Sequence, residues 1–169
     1  MDSNTLKAKS WLEGVKEDKL YNPLVTYYFI NKTLNMSQGK VAVQTARAAQ
    51  VMLYREIERS KKITEIIRSE NKGCLVLDDI SSAELSLKEL FHDDFMHGNK
   101  SITLKANQSQ MDRMLRGDLS KELLKIGARA YPVYDIGATE VETNSLTVIA
   151  LTPTLKSKIE YFTKKFQLY

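Results

Sequence analysis

Three observations predict an α/β fold, a mixed sheet with helices packed against it. The run LVTYYFI at 24–30 is β-branched and aromatic with little polarity, as in a strand buried on both faces. Strand-like and helix-like patterns follow in the order β-α-insertion-β-α-β-β-α, which suits a sheet covered by helices. The composition, 43% hydrophobic and 27% charged over 169 residues, fits one globular domain over 1–169. No internal repeat or low-complexity segment interrupts it.

Each element has its own signal. Residues 1–22 read as an N-terminal helical extension, with Leu6, Trp11, Leu12 and Val15 as the apolar set and Asn22-Pro23 as punctuation. After the first strand, Asn31 to Gln38 makes a polar turn, and Ser37 is placed to cap the next helix. That helix runs from about Gly39 to about Lys62. Ala42, Ala46, Ala49, Leu53 and Ile57 recur at three- and four-residue steps, a stripe expected to bring the helix close to the sheet. Lys40, Gln44 and Arg47 make a second stripe that shares one face near the helix N-terminus. Residues 63–98 read as an insertion between core elements. Within it Ile63 to Glu70 either extends the helix or makes a second one, CLVL is a short strand, and Ser81 with Glu84 forms a capping box. SITLKA is the next strand. SQMDRMLRGDLSKELLKIG is a helix with Met111, Met114, Leu115, Leu119, Leu123 and Leu124 inward and Gly127 as terminator. ARAYPVYDIG is a strand whose Pro132 places it at a sheet edge or outside the ladder's donor pattern. SLTVIALTP is a further strand, and the chain closes with a short helix.

Composition excludes several chemistries. Cys74 is the single cysteine, so neither an intramolecular disulfide nor a thiolate zinc site is available. The N-terminal stretch lacks an apolar signal core, and no run approaches the roughly 20 apolar residues of a membrane span. A soluble, intracellular, cytoplasmic protein is expected. Lys+Arg 25 against Asp+Glu 21 permits a polyanionic partner without requiring one. There is no Walker loop, no G-x-G-x-x-G and no G-x-S-x-G. His92 and His97 flank two aspartates in HDDFMH, an acidic turn more often solvated than metal-binding. What remains is the Lys40/Gln44/Arg47 face and the polar turn YDIGATEVETNS at 134–145. Sites in open α/β sheets gather at the carboxyl ends of strands. If the strands before Lys40 and Asp135 are parallel neighbours, both residues reach one edge.

Those residues resemble a known family, the peptidyl-tRNA hydrolases of the second type. LVTYYFINKTLNMSQGKVAVQTARAA is similar to the family's opening strand, its loop ending in Gly-Lys, and its following helix. YPVYDIGATEVETNSLTVIALTP is similar to its Asp-Ala-Gly-x-Thr-Gln turn and next strand, and KSKIEYFTKKFQLY to its closing helix. The resemblance covers about two thirds of the chain, leaving out the N-terminal extension and residues 63–98. It implies a three-layer α-β-α sandwich with a mostly four-stranded mixed sheet, often in a homodimer. It implies hydrolysis of the ester between peptide and tRNA ribose, with no cofactor and no metal. Lys40, Gln44, Asp135 and Thr139 fall on its functional lysine, glutamine, aspartate and threonine. Asp135 would orient or deprotonate a water, Lys40 would neutralise an oxyanion or hold a phosphate, and Thr139 would position water or ribose. Gln44 would fix the carbonyl or the turn backbone. Lys32, Arg47, Arg113 and Arg116 are the candidate tRNA contacts.

The sequence also departs from the family. Asn35 stands where a second functional lysine is usual, Thr33 replaces an aspartate, and Ser37-Gln38 replaces Gly-Lys. Arg47 replaces the helix histidine, Glu140 replaces a glutamine, and Thr143-Asn144 replaces Pro-Gly. Fewer loop lysines should weaken phosphate binding, and Glu140 adds negative charge near an anionic substrate. Two other readings follow: a non-catalytic relative that binds RNA or protein, and a hydrolase or transferase for other esters.

Overall fold

The structure is a computed structural model and describes residues 22–70 and 100–169. The expected N-terminal helix, CLVL, the Ser81/Glu84 capping box, Cys74, His92 and His97 lie outside the described residues. Four longer strands carry the sheet: β1 (Leu24–Asn31), β2 (Lys100–Ala106), β3 (Ala130–Tyr134) and β4 (Leu146–Leu151). Two-residue strands β5 (Thr154–Leu155) and β6 (Gln167–Leu168) complete it. The order is β3-β4-β1-β2-β6, with β5 also paired to β1. β1 runs parallel to β2, while β4 is antiparallel to both β1 and β3. The expected mixed sheet is therefore present, with two short strands beyond the four foreseen.

Helices cover both faces. α1 (Gln38–Glu70) lies on one, and α2 (Gln108–Arg116), α3 (Asp118–Lys125) and α4 (Lys156–Thr163) lie on the other. Period-two alternation in β1 explains why both cores form. Val25, Tyr27 and Phe29 join one cluster with Met111, Met114, Leu123, Ile159 and Phe162. Tyr28 and Ile30 join the other with Val41, Ala48 and Met52 of α1. Every β1 residue is buried, as its apolar run requires.

Four expectations are corrected and one open alternative is resolved. The stripe facing the sheet from α1 is Val41, Gln44, Ala48 and Met52, all buried. Ala42, Ala46, Leu53 and Ile57 are exposed, and Ala49 is half-buried. Alanine carries little apolar surface, so its periodicity does not fix which face turns inward. Next, α1 continues unbroken to Glu70, which resolves the alternatives for Ile63–Glu70. The helix expected over 109–127 is two helices, because Gly117 is extended (φ −101°, ψ −158°). Leu124, on the second of them, is 59% exposed rather than inward. Finally, β1 and β3 are parallel but not neighbours, since β4 lies between them. Their carboxyl ends still meet one edge, because Ile30, Val148 and Val133 stand in one row across the three strands. Pro132 lies on the edge strand, where a missing donor is tolerated.

Candidate active site

The edge where β1 and β3 end is built from two short segments. Ser37 caps α1: its hydroxyl accepts from Lys40 N at 3.2 Å. The turn after β3 is shaped by two left-handed residues, Gly137 (φ 77°) and Asn144 (φ 63°). A Cβ on Gly137 would lie 2.4 Å from Thr143 N, so the turn closes only around glycine. Asp135 N donates to Ser145 O at 3.0 Å, and Asn144 N donates to Asp135 O at 2.7 Å.

Asp135 sits at the centre and is 3% exposed. Its Oδ1 accepts from Gly137 N at 2.7 Å, an Asx-type contact that holds the carboxylate in plane. Its Oδ2 accepts from the Gln44 amide and pairs with Lys40 Nζ at 2.7 Å. Lys40 beside it, with the Gly137 amide, holds the Asp135 carboxyl below its ordinary range against the opposing effect of burial; Arg47 adds to this. Lys40 Nζ also donates to Thr139 Oγ1 at 2.9 Å. Lys40, Gln44, Asp135 and Thr139, singled out in the sequence, thus meet in one connected cluster.

Sequence reasoning missed three supports. Thr147 is the extra residue of a bulge, since Val133 pairs with Val148 but Tyr134 pairs with Leu146. That irregularity turns the Thr147 hydroxyl to Gln44 Oε1 at 3.1 Å, so both ends of the buried Gln44 amide are satisfied. No alternation of apolar and polar residues announces such a bulge. Asn31, also buried, ties the β1 end to its surroundings, donating to Leu146 O at 2.8 Å and to Gln108 Oε1 at 2.7 Å. Glu140 accepts from Ser37 N at 2.8 Å and from Ser37 Oγ at 2.7 Å. Those Ser37 bonds hold Glu140 below its ordinary carboxylate range. The two departures at 37 and 140 therefore complement each other, a carboxylate on a helix N-terminus. A signal existed in their charge and hydroxyl character, but only the fold shows them adjacent.

The candidate phosphate contacts are dispersed. Lys32 is exposed just past β1, and Arg47 is exposed on α1. Arg113 donates from Nε and Nη2 to the two carboxylate oxygens of Asp118, at 3.0 and 2.6 Å. Arg116 lines a cleft on the opposite face of the sheet. Among the described residues, no three His, Cys, Asp or Glu side chains converge as a metal site would need.

A carboxylate, an ammonium and a hydroxyl fixed at strand ends form an arrangement for stabilising an oxyanion and orienting a water. Residues 24–169 match the family model described as Peptidyl-tRNA hydrolase PTH2. The chain belongs to that family. A probable peptidyl-tRNA hydrolase 2 from Dictyostelium discoideum is 27% identical over 140 residues, 83% of this chain and 52% of the relative. The peptidyl-tRNA hydrolase of Thermoplasma acidophilum is 25% identical over 139 residues, 82% of this chain and 92% of the relative. That of Nanoarchaeum equitans is 32% identical over 82 residues, 48% and 68% of the two chains. The chain thus spans about half the length of the Dictyostelium relative.

Proposed function

We propose that this chain hydrolyses the ester joining a peptide, or an N-blocked amino acid, to the ribose of tRNA. Water adds to the carbonyl carbon, the bond to the ribose oxygen breaks, and the ribose oxygen takes a proton. Lys40 faces the oxygen on which negative charge develops; Asp135 and Thr139 hold its ammonium in place. Asp135 acts as an orienter rather than a base. A carboxylate held below its ordinary range is a weak proton acceptor, and two of its three bonds come from side chains it positions. Gln44 fixes the Asp135 oxygen from behind, and Thr139 orients the water or the ribose.

The observation that carries this reading is the ion pair between half-buried Lys40 and buried Asp135, whose side chains are 12% and 4% exposed, at the mouth of the polar turn. An ion pair so placed is expensive to desolvate. No metal and no cofactor enter the scheme. Lys32, Arg47 and Arg116 meet the phosphates, while the charge of Arg113 is largely answered by Asp118.

The reading extends to a homodimer acting in the cytoplasm. Val43, Leu53, Tyr54 and Ile57 leave an apolar row exposed on α1, a surface a second copy would cover. No helix of the described residues is long and apolar enough to cross a membrane. Light scattering should then give twice the chain mass, and Tyr54→Glu should halve it.

The catalytic reading is tested by the release of free tRNA from an N-acetylated aminoacyl-tRNA. Turnover lost in Lys40→Ala, with the variant still folded by circular dichroism, supports it. Salt-dependent tRNA binding without turnover in the wild type would replace it with a binding module.

A further inference from the structure

The sheet edge that carries Lys40 and Asp135 has a second side. Side chains alternate along β3, so Tyr134 faces away from Asp135, toward α2. There it lines a cleft of about 490 Å³, large enough for one nucleotide-sized ligand. The opposite wall is the polar row Gln108, Asp112 and Arg116, one turn apart on α2. Asn144 closes the end.

The lining has the chemistry of a nucleobase site. Tyr134, 40% exposed, offers a ring face for stacking. Asp112 is an acceptor for an exocyclic amine, the pairing a carboxylate makes with cytosine N4. Its Oδ1 is held by Gln108 Nε2 at 3.0 Å, and Gln108 Oε1 is held in turn by Asn31 at 2.7 Å, so the acceptor is fixed in place. Arg116 is exposed at the far end of the row, where a phosphate would be met. Unlike Arg113, it makes no ion pair among the described residues. The cleft and the ester site share one wall, because Asp135 and Asn144 are hydrogen-bonded through their backbones at 2.7 Å.

We propose that this cleft binds an unpaired nucleotide of the tRNA acceptor end, next to the nucleotide that carries the ester. The proposal rests on the peptidyl-tRNA reading of the Lys40 site and adds the place where the single strand crosses the sheet edge. Stacking on Tyr134 supplies affinity, and Asp112 favours a base with an exocyclic amine over one without.

The test uses the whole chain and a fluorescent single-stranded RNA tetranucleotide, ACCA. Tyr134→Ala and Arg116→Ala should each weaken ACCA binding roughly tenfold, while Tyr134→Phe retains it. Replacing the cytosines by uracils should weaken binding to the wild type but not to Asp112→Ala. With N-acetylated aminoacyl-tRNA as substrate, the same losses should appear in KM. If Tyr134→Ala does not fold, Arg116→Ala and the uracil comparison decide. Wild-type affinity for ACCA in Arg116→Ala and Tyr134→Ala, with turnover intact, overturns the cleft and leaves the hydrolase reading standing. Loss of ACCA binding in these variants of a protein that shows no turnover overturns the hydrolase reading and leaves the cleft as an RNA site. No ACCA binding by the wild type overturns the cleft.

Discussion

Asp135 accepts from a backbone amide, an amide side chain and an ammonium, and each donor is itself held by a second partner or by the chain. Such a carboxylate is a rigid fixture. Asp135→Asn keeps the shape but removes the charge that holds Lys40, and Lys40→Ala removes the ammonium. Each should lower kcat/KM about 100-fold or more, the scale for losing one preorganised charge or donor. The pH dependence follows from the direction of the shift. A pKa lowered by Lys40 keeps Asp135 ionised through the range where a free carboxylate takes up its proton, about pH 4. The rate profile should therefore show no acid limb from Asp135 between about pH 5 and 7. A limb in that window, absent from Asp135→Asn, would make Asp135 a titrating base instead.

Elements are held to one another by a few polar clamps whose removal has a size. Glu56 of α1 accepts from Arg129 at 2.7 and 2.6 Å and also from the Tyr131 hydroxyl, which ties the long helix to β3. Burial would push the Glu56 carboxyl up, but these bonds from Arg129 and Tyr131 bring it below the ordinary range. Burial, then Glu56 itself, pushes Tyr131 up to about 12. A lowered carboxyl contributes stability above its unfolded pKa and loses it as pH falls through the folded one. The Tm of the wild type should thus drop more steeply below about pH 4 than that of Glu56→Gln. Glu56→Ala should cost about 1–3 kcal/mol at pH 7, the scale for losing charged hydrogen bonds in a half-buried pair. Gly137→Ala forces an L residue into φ 77° against Thr143. We expect it to cost about 2–4 kcal/mol in urea unfolding, from left-handed strain plus overpacking. Part of this level was legible in the sequence. The apolar run of β1, the Gly127 stop and the edge position implied by Pro132 each follow from a local rule. The inward face of α1 was not legible, since alanine marks no direction and the true stripe contains Gln44. Its polarity is tolerated only because Asp135 and Thr147, distant in sequence, satisfy both ends of its amide. The break at Gly117 and the bulge at Thr147 depend likewise on packing that no window of sequence contains.

At the scale of the molecule, one sheet edge collects what the chain distributes over a hundred residues. Lys40 and Gln44 come from α1, and Asp135, Thr139 and Glu140 from the turn after β3. β4 lies between the strands that precede them. Both groups of residues stood out in the sequence on two separate segments, and the fold brings those segments together. The Ser37–Glu140 bond was beyond reach, because neither residue has the family's usual identity and their pairing depends on the fold. If the dispersed cations meet phosphates, log Kd for tRNA should rise linearly with log salt, and Arg116→Ala should reduce the slope by about one. Ester hydrolysis at this edge is decided by incubating wild type, Lys40→Ala and Asp135→Asn with one N-acetylated aminoacyl-tRNA. Free tRNA and acetylated amino acid from the wild type, with at most about one hundredth of that rate from each variant, is the predicted result. Equal rates from all three, or none from a folded wild type that binds the substrate, would contradict it.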